Sequence, residues 1–213
     1  MTVETAKETN AMNMNAPSPR RRKGAVAALV TAAVFALGCS VGGDIVAYDL
    51  PAESARYTFE AETNGVKTVW EYTSDKPTEG EASELQPCMG EVLGNNSDAC
   101  RPEPLIFLKY DLNLALDNTA RAGDSHRITV VGYYQERLTA PPTVTSLRVE
   151  ASFDEGRTWR PVTTRATAKN TFTAEIKHPK RQQAAEGVAL RISATDSGGN
   201  TVTQTMPEAY RLR

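Results

Sequence analysis

Acid–base or nucleophilic chemistry in this chain would have to run through His126 or His178, its only two histidines. Asp124-Ser125-His126 sets an acid, a hydroxyl and an imidazole side by side, and Asp196-Ser197-Gly198 offers a second acid next to a serine. A serine hydrolase needs its nucleophile, base and acid brought together in space. Neighbouring side chains on a strand point to opposite faces, so adjacency in Asp124-Ser125-His126 does not assemble them. No Gly-x-Ser-x-Gly elbow is present. His178 precedes Pro179 at the end of an alternating run and is expected to face solvent. Asp196-Ser197-Gly198-Gly199-Asn200 lies between two alternating runs and is rich in residues that tolerate positive φ, which predicts a hairpin turn. The reading therefore assigns no catalytic residue and no cofactor-binding residue.

Metal chemistry fares no better. Two histidines and three cysteines, without a Cys-x-x-Cys or a second pair, are too few ligands at usable spacings for a zinc site. The cysteines suggest a staple instead. With Cys39 set aside as a signal or lipidation residue, Cys88 and Cys100 form an even pair flanking a Gly/Asn-rich stretch. In an oxidising compartment that loop closure is worth roughly 3 kcal/mol on the chain-entropy model.

The most specific local motif is Ser152-Phe153-Asp154-Glu155-Gly156-Arg157-Thr158-Trp159, which resembles the Asp box Ser-x-Asp-x-Gly-x-Thr-Trp at every defined position. Its logic is a hairpin. Asp154 accepts backbone N–H bonds across the turn, Gly156 supplies the left-handed conformation, and Trp159 folds back as a plug. A single copy without repeats is a structural device, with Ser152, Asp154, Gly156, Thr158 and Trp159 as its parts, and does not imply sugar cleavage.

The elements that would position these residues follow a period of two. Leu147, Val149, Ala151 and Phe153 point one way while Arg148, Glu150 and Ser152 point the other. Phe172, Ala174 and Ile176 repeat the pattern, as do Val188, Leu190, Ile192 and Ala194. Ile106, Leu108, Tyr110, Leu112, Leu114 and Leu116 predict one long strand, and Ile128 to Tyr134 another. Tyr57, Phe59 and Ala61 alternate before Asn64-Gly65, a type I′ hairpin signal, and Trp70 and Tyr72 alternate after it. No segment of the body sustains a 3.6-residue period, so the fold class is all-β. Pro141-Pro142 marks a boundary. Residues 143–213 carry the pattern of a small immunoglobulin-like β-sandwich. Residues 44–140, with the disulfide loop, read as a second β domain or sheet layer.

Composition bounds the remainder. The chain has 213 residues, room for one domain or two small ones. Its formal net charge of −2 supplies no footprint for phosphate backbones, which argues against nucleic acid as a partner. The charge is uneven, with 19 basic against 24 acidic residues from 40 to 213 and a basic cluster, Arg20-Arg21-Arg22-Lys23, ahead of them. That cluster precedes the uncharged stretch Gly24 to Gly43, so residues 1–39 read as a signal peptide or a membrane-anchor helix. Ala36-Leu37-Gly38 fits a signal-peptidase site before Cys39, while Leu37-Gly38-Cys39 also resembles a lipobox with Ala36 where Leu is preferred. A mis-assigned start is a third reading of the head. The expected location is secreted, or extracellular and tethered, with membrane contact only through the head.

Several stretches resemble the C-terminal, non-catalytic β region of secreted actinobacterial subtilisin-like serine peptidases. They are Trp70-Glu71-Tyr72-Thr73-Ser74; Pro104-Leu105 with Tyr110-Asp111-Leu112; the Asp box; Leu190 to Asp196; Gly199 to Gln204; and Ala209-Tyr210-Arg211-Leu212-Arg213. Their order and spacing match from about Ala55 onward. The family's His-Gly-Thr-His and Gly-Thr-Ser-Met/Ala motifs are missing, and Asp196 stands at the wrong end of the chain, so no catalytic residue carries over. The resemblance implies an exported accessory module without peptidase activity, acting on an unknown protein or cell-surface ligand. A fragment of such a peptidase, separated from its catalytic domain, is the second reading. An intact hydrolase with a cleft around His126 is the third.

Overall fold

A computed structural model describes residues 50–81, 99–184 and 186–213. The N-terminal head, Cys39 and Cys88 lie outside the described residues, as does the stretch 82–98. Among the described residues there are ten strands, in chain order β1 (Ala55–Thr63), β2 (Val66–Ser74), β3 (Phe107–Asp111), β4 (Thr119–Ala120), β5 (Ser125–Tyr133), β6 (Val144–Ser152), β7 (Arg160–Ala168), β8 (Thr171–Lys177), β9 (Val188–Asp196) and β10 (Thr201–Leu212). Two single-turn 3-10 helices, Glu79–Glu81 and Arg181–Gln183, are the only helical elements among the described residues.

The strands hydrogen-bond in the order β1-β2-β10-β9-β6-β7-β8-β5-β3, all antiparallel, with β4 pairing parallel to the end of β10. Strands from before Pro141-Pro142 occupy both ends of this path, β1 and β2 at one and β5 and β3 at the other, and those after it fill the middle. The sheet turns at β7, where Arg160, Pro161 and Val162 pair with β6 and Thr163 onward pairs with β8. A proline, unable to donate to a ladder, stands where the strand changes partners.

Curling brings the two ends of the sheet together. Trp70 Nε1 on β2 donates to the Ile106 carbonyl beside β3 at 2.8 Å, and the Tyr110 hydroxyl on β3 donates to Gln204 Oε1 on β10 at 2.5 Å. One apolar cluster fills the interior, with Ile128 and Val130 from β5, Phe172 and Ile176 from β8, Val149 from β6, Leu190 and Ile192 from β9 and Val202 from β10. Leu190 and Ile192 are fully buried, each contributing roughly 2 kcal/mol.

The Asn64-Gly65 turn forms as expected, both residues at positive φ (50° and 74°) and flanked by the pair Thr63 and Val66. The long strand expected from Ile106 to Leu116 does not form. β3 ends at Asp111, Asn113 takes φ 49°, and Leu116 is fully exposed, so alternation past Tyr110 belongs to a loop. That loop returns the chain to β4 and β5, beside the end of β10.

Candidate functional site

His126 lies on β5, His178 follows β8, and Tyr210 lies near the end of β10. The curl brings all three together, with the imidazoles stacked at 5.1 Å between ring centroids and 26° between planes. The Tyr210 ring stands 5.6 Å from each. His178 is not solvent-facing, as its position before Pro179 predicts, but 6% exposed. The reason is distant in sequence. Its Nδ1 lies 2.9 Å from the Arg121 carbonyl and its Nε2 2.9 Å from the Tyr210 hydroxyl. A carbonyl can only accept, so Nδ1 carries the proton, and in the neutral ring Nε2 accepts from the Tyr210 O–H. Burial lowers the His178 pKa below the ordinary histidine value, and repulsion from His126 adds to this. The Arg121 carbonyl and Asp124 pull the other way without overcoming it. Burial likewise raises the Tyr210 phenol well above its usual range.

His126 donates from Nε2 to the Leu112 carbonyl at 2.7 Å. Ser125 is exposed and pairs in register with Lys177, whereas His126 is half-buried and pairs with Ile176, so the two side chains sit on opposite faces of β5. The Asp124 carbonyl accepts the His178 backbone N–H at 3.0 Å. A cavity of about 210 Å³ opens here, lined by Asn113, Arg121, Asp124, Ser125, His126 and Arg213 among others. It is polar and small, and both nitrogens of His178 and Nε2 of His126 bond carbonyls and a phenol rather than a serine.

The second acid is equally occupied. Asp196, 3% exposed, closes β9 onto β10. Its Oδ1 accepts the backbone N–H of Gly198 (2.8 Å) and Asn200 (2.9 Å), and its Oδ2 accepts Asn200 Nδ2 and the Tyr134 hydroxyl, both at 2.9 Å. Ser197 is tied to the Pro141-Pro142 connection, donating its N–H to the Thr143 carbonyl and accepting the Thr143 N–H on Oγ. The expected hairpin turn is present, with Gly199 at φ 79°.

In the Asp-box hairpin between β6 and β7, Asp154 Oδ1 accepts the Thr158 N–H at 2.9 Å and Oδ2 the Thr158 hydroxyl at 2.6 Å. The fully buried Ser152 Oγ donates to Asp154 Oδ1 and accepts the Gly156 N–H. These bonds hold the Asp154 pKa down to about 2, those from Thr158 having the largest effect. Both Glu155 (φ 62°) and Gly156 (φ 81°) take the left-handed conformation. Trp159 folds back over Gly156, where an added Cβ would lie 3.4 Å from its Cζ2. It is half-buried rather than a sealed plug. Its ring is capped by the Arg191 guanidinium at 4.6 Å, and Arg191 also donates to the buried Glu150 at 2.8 Å. Arg191 lowers the Glu150 pKa, with help from Arg148.

Sequence reasoning named Ser152, Asp154, Gly156, Thr158, Trp159, His126, His178 and Asp196, but missed the residues that occupy them: Tyr210, Tyr134, Arg191 and Glu150. The local signal for Tyr134 and Glu150 was the apolar or alternating run each belongs to, which places Glu150 on β6 and Tyr134 just past the end of β5 without naming their partners. Among the described residues no three or more His, Cys, Asp or Glu side chains converge to hold a metal, and no helix is long and apolar enough to cross a membrane. No family model matches the chain, and no curated protein matches it.

Proposed function

We propose that this chain is an exported, non-catalytic accessory module that binds a protein or cell-surface partner through a rigid β scaffold. One observation carries the reading. Both histidines and the two motif acids are held in internal hydrogen bonds that serve a turn or a strand end: His126 to Leu112, His178 to Arg121 and Tyr210, Asp196 to Tyr134 and Asn200, Asp154 to Thr158. A general base needs a nitrogen free to reach the proton it abstracts. His178 has both nitrogens engaged, and the His126 imidazole is anchored through Nε2 to the Leu112 carbonyl with Ser125 on the opposite face of its strand.

Export is part of the proposal. It rests on the basic cluster and uncharged stretch of residues 1–39, with Cys39 at the cleavage or lipidation position. The Cys88–Cys100 disulfide belongs to it too. Arg101, next to Cys100, contacts Asp75 and bonds Glu81 at 2.7 Å, drawing together the two flanks of the stretch that holds Cys88. We read residues 143–213 as an immunoglobulin-like sandwich, and the whole as akin to the C-terminal β region of secreted subtilisin-like peptidases. A partner of that class, or a ligand on the same cell surface, follows from the likeness.

The test is capture from culture medium with the immobilised mature chain as bait. Saturable retention of one secreted or surface component, lost when the chain is thermally unfolded, is expected. Turnover of a casein substrate by the purified chain would defeat the proposal.

A further inference from the structure

The two ends of the sheet differ in how they are protected. β3, at one end, has five residues, follows Pro102 and Pro104, and carries Lys109 on its exposed face. Short length, proline and lysine are the usual guards against edge pairing. β1, at the other end, has none of them. It runs nine residues, pairs with β2 in unbroken register over its whole length, and contains no proline, lysine or bulge. Among the described residues no strand pairs with its outer edge.

The parity of that edge is fixed by the turn. A two-residue hairpin loop makes Thr63 and Val66 a hydrogen-bonding pair, and alternation then gives Ala61, Phe59, Tyr57 and Ala55 their bonds to β2. The Thr73 N–H bears this out, since it points away from β1 to Asn200 Oδ1 at 3.2 Å. The backbone N–H and C=O groups of Arg56, Thr58, Glu60 and Glu62 therefore face outward. Their side chains share the outer face of the sheet, opposite Tyr57, Phe59 and Ala61, which pack against the core.

This edge is complementary to itself. We propose that β1 pairs antiparallel with β1 of a second copy about a two-fold axis at Phe59, extending the sheet across the dimer. The outward-facing residues then form the hydrogen-bonding pairs, Arg56 opposite Glu62 of the second copy and Thr58 opposite Glu60 of the second copy, each repeated by symmetry. Opposite charges meet twice on the outer face of the sheet. Moving the axis to Glu60 would set Glu60 against its own copy, which like-charge repulsion disfavours. Arg56 donates to Glu71 and to the Gly199 carbonyl, both on the β2 side of β1, so in the dimer its guanidinium is shared between these acceptors and Glu62 of the second copy.

Sedimentation equilibrium on the purified full-length chain, in a mild non-ionic detergent that shields the apolar head, tests this. The wild-type chain should show a concentration-dependent monomer–dimer equilibrium. Glu62→Arg, which sets Arg against Arg56 of the second copy, should raise the dimer Kd at least about tenfold, and adding Arg56→Glu should restore most of it. Thr58→Pro removes an outward N–H without touching the β2 ladder and should also abolish the dimer. Circular dichroism establishes that each variant is folded. A wild-type chain that is monomeric at every concentration, or a dimer indifferent to Glu62→Arg and Thr58→Pro, would overturn the proposal.

Discussion

Replacing Asp196 separates a structural acid from a catalytic one. Its carboxyl accepts four bonds: from Gly198 N–H, Asn200 N–H, Asn200 Nδ2 and the Tyr134 hydroxyl. In Asp196→Ala the Gly198 N–H can turn to water, because Gly198 is exposed. The two Asn200 donors cannot do so readily, since Asn200 is 5% exposed, and the Tyr134 hydroxyl loses its acceptor in a half-buried site. At roughly 1 to 2 kcal/mol for each of these three stranded donors, the loss comes to about 3 to 6 kcal/mol. Tyr134→Phe removes donor and hydroxyl together and should cost only about 1 kcal/mol. Because the two residues share a bond, the double variant should fall short of additivity by about 1 kcal/mol. Urea unfolding followed by circular dichroism gives all of these values, and an unchanged m shows that the same surface is exposed each time. Asp196→Ala costing less than about 1 kcal/mol would refute the view that this acid is spent on the turn.

Gly187 sits at φ 107° with space for a Cβ only 2.9 Å from the Tyr210 carbonyl oxygen, so Gly187→Ala should destabilise by roughly 3 kcal/mol in the same assay. Trp159→Ala removes a half-buried ring and its contact with Arg191 and should cost about 2 kcal/mol, with little change for a distant exposed control such as Thr167→Ala. His178 has a folded pKa below its unfolded value, so its contribution to stability is complete above about pH 6.5 and is lost as pH falls through the lowered value. The melting temperature should hold steady down to about pH 6.5 and then decline, and the slope between there and pH 5 should flatten in His178→Gln. Glu103, whose pKa burial raises, contributes with the opposite sign, so the comparison with His178→Gln isolates the histidine.

Local chemistry made much of this fold legible. Alternation located Val149, Phe172, Ile176, Leu190 and Ile192 in the core, and Asn64-Gly65 and Ser152 to Trp159 named their own turns because the bonds that hold them span four residues or fewer. What stayed hidden was non-local. Nothing near His178 announces that Tyr210 and the Arg121 carbonyl will bury it, and nothing near Trp70 announces the Ile106 carbonyl. β7 escaped individual notice because most of Arg160–Ala168 is exposed on both faces and shows no apolar alternation. The run from Leu112 to Leu116 misled for the converse reason: Leu112 and Leu114 pack against the core from a loop without a partner strand, and Leu116 is exposed.

The proposal that this scaffold performs no hydrolysis is put to the test by labelling with a fluorophosphonate probe. Such a probe reacts with a serine only where a base and an oxyanion site activate it. The purified chain should show no labelling above a heat-unfolded control over a pH range that spans histidine titration. Stoichiometric labelling that disappears in His126→Ala would contradict the account, because it would show the imidazole anchored to the Leu112 carbonyl activating a serine.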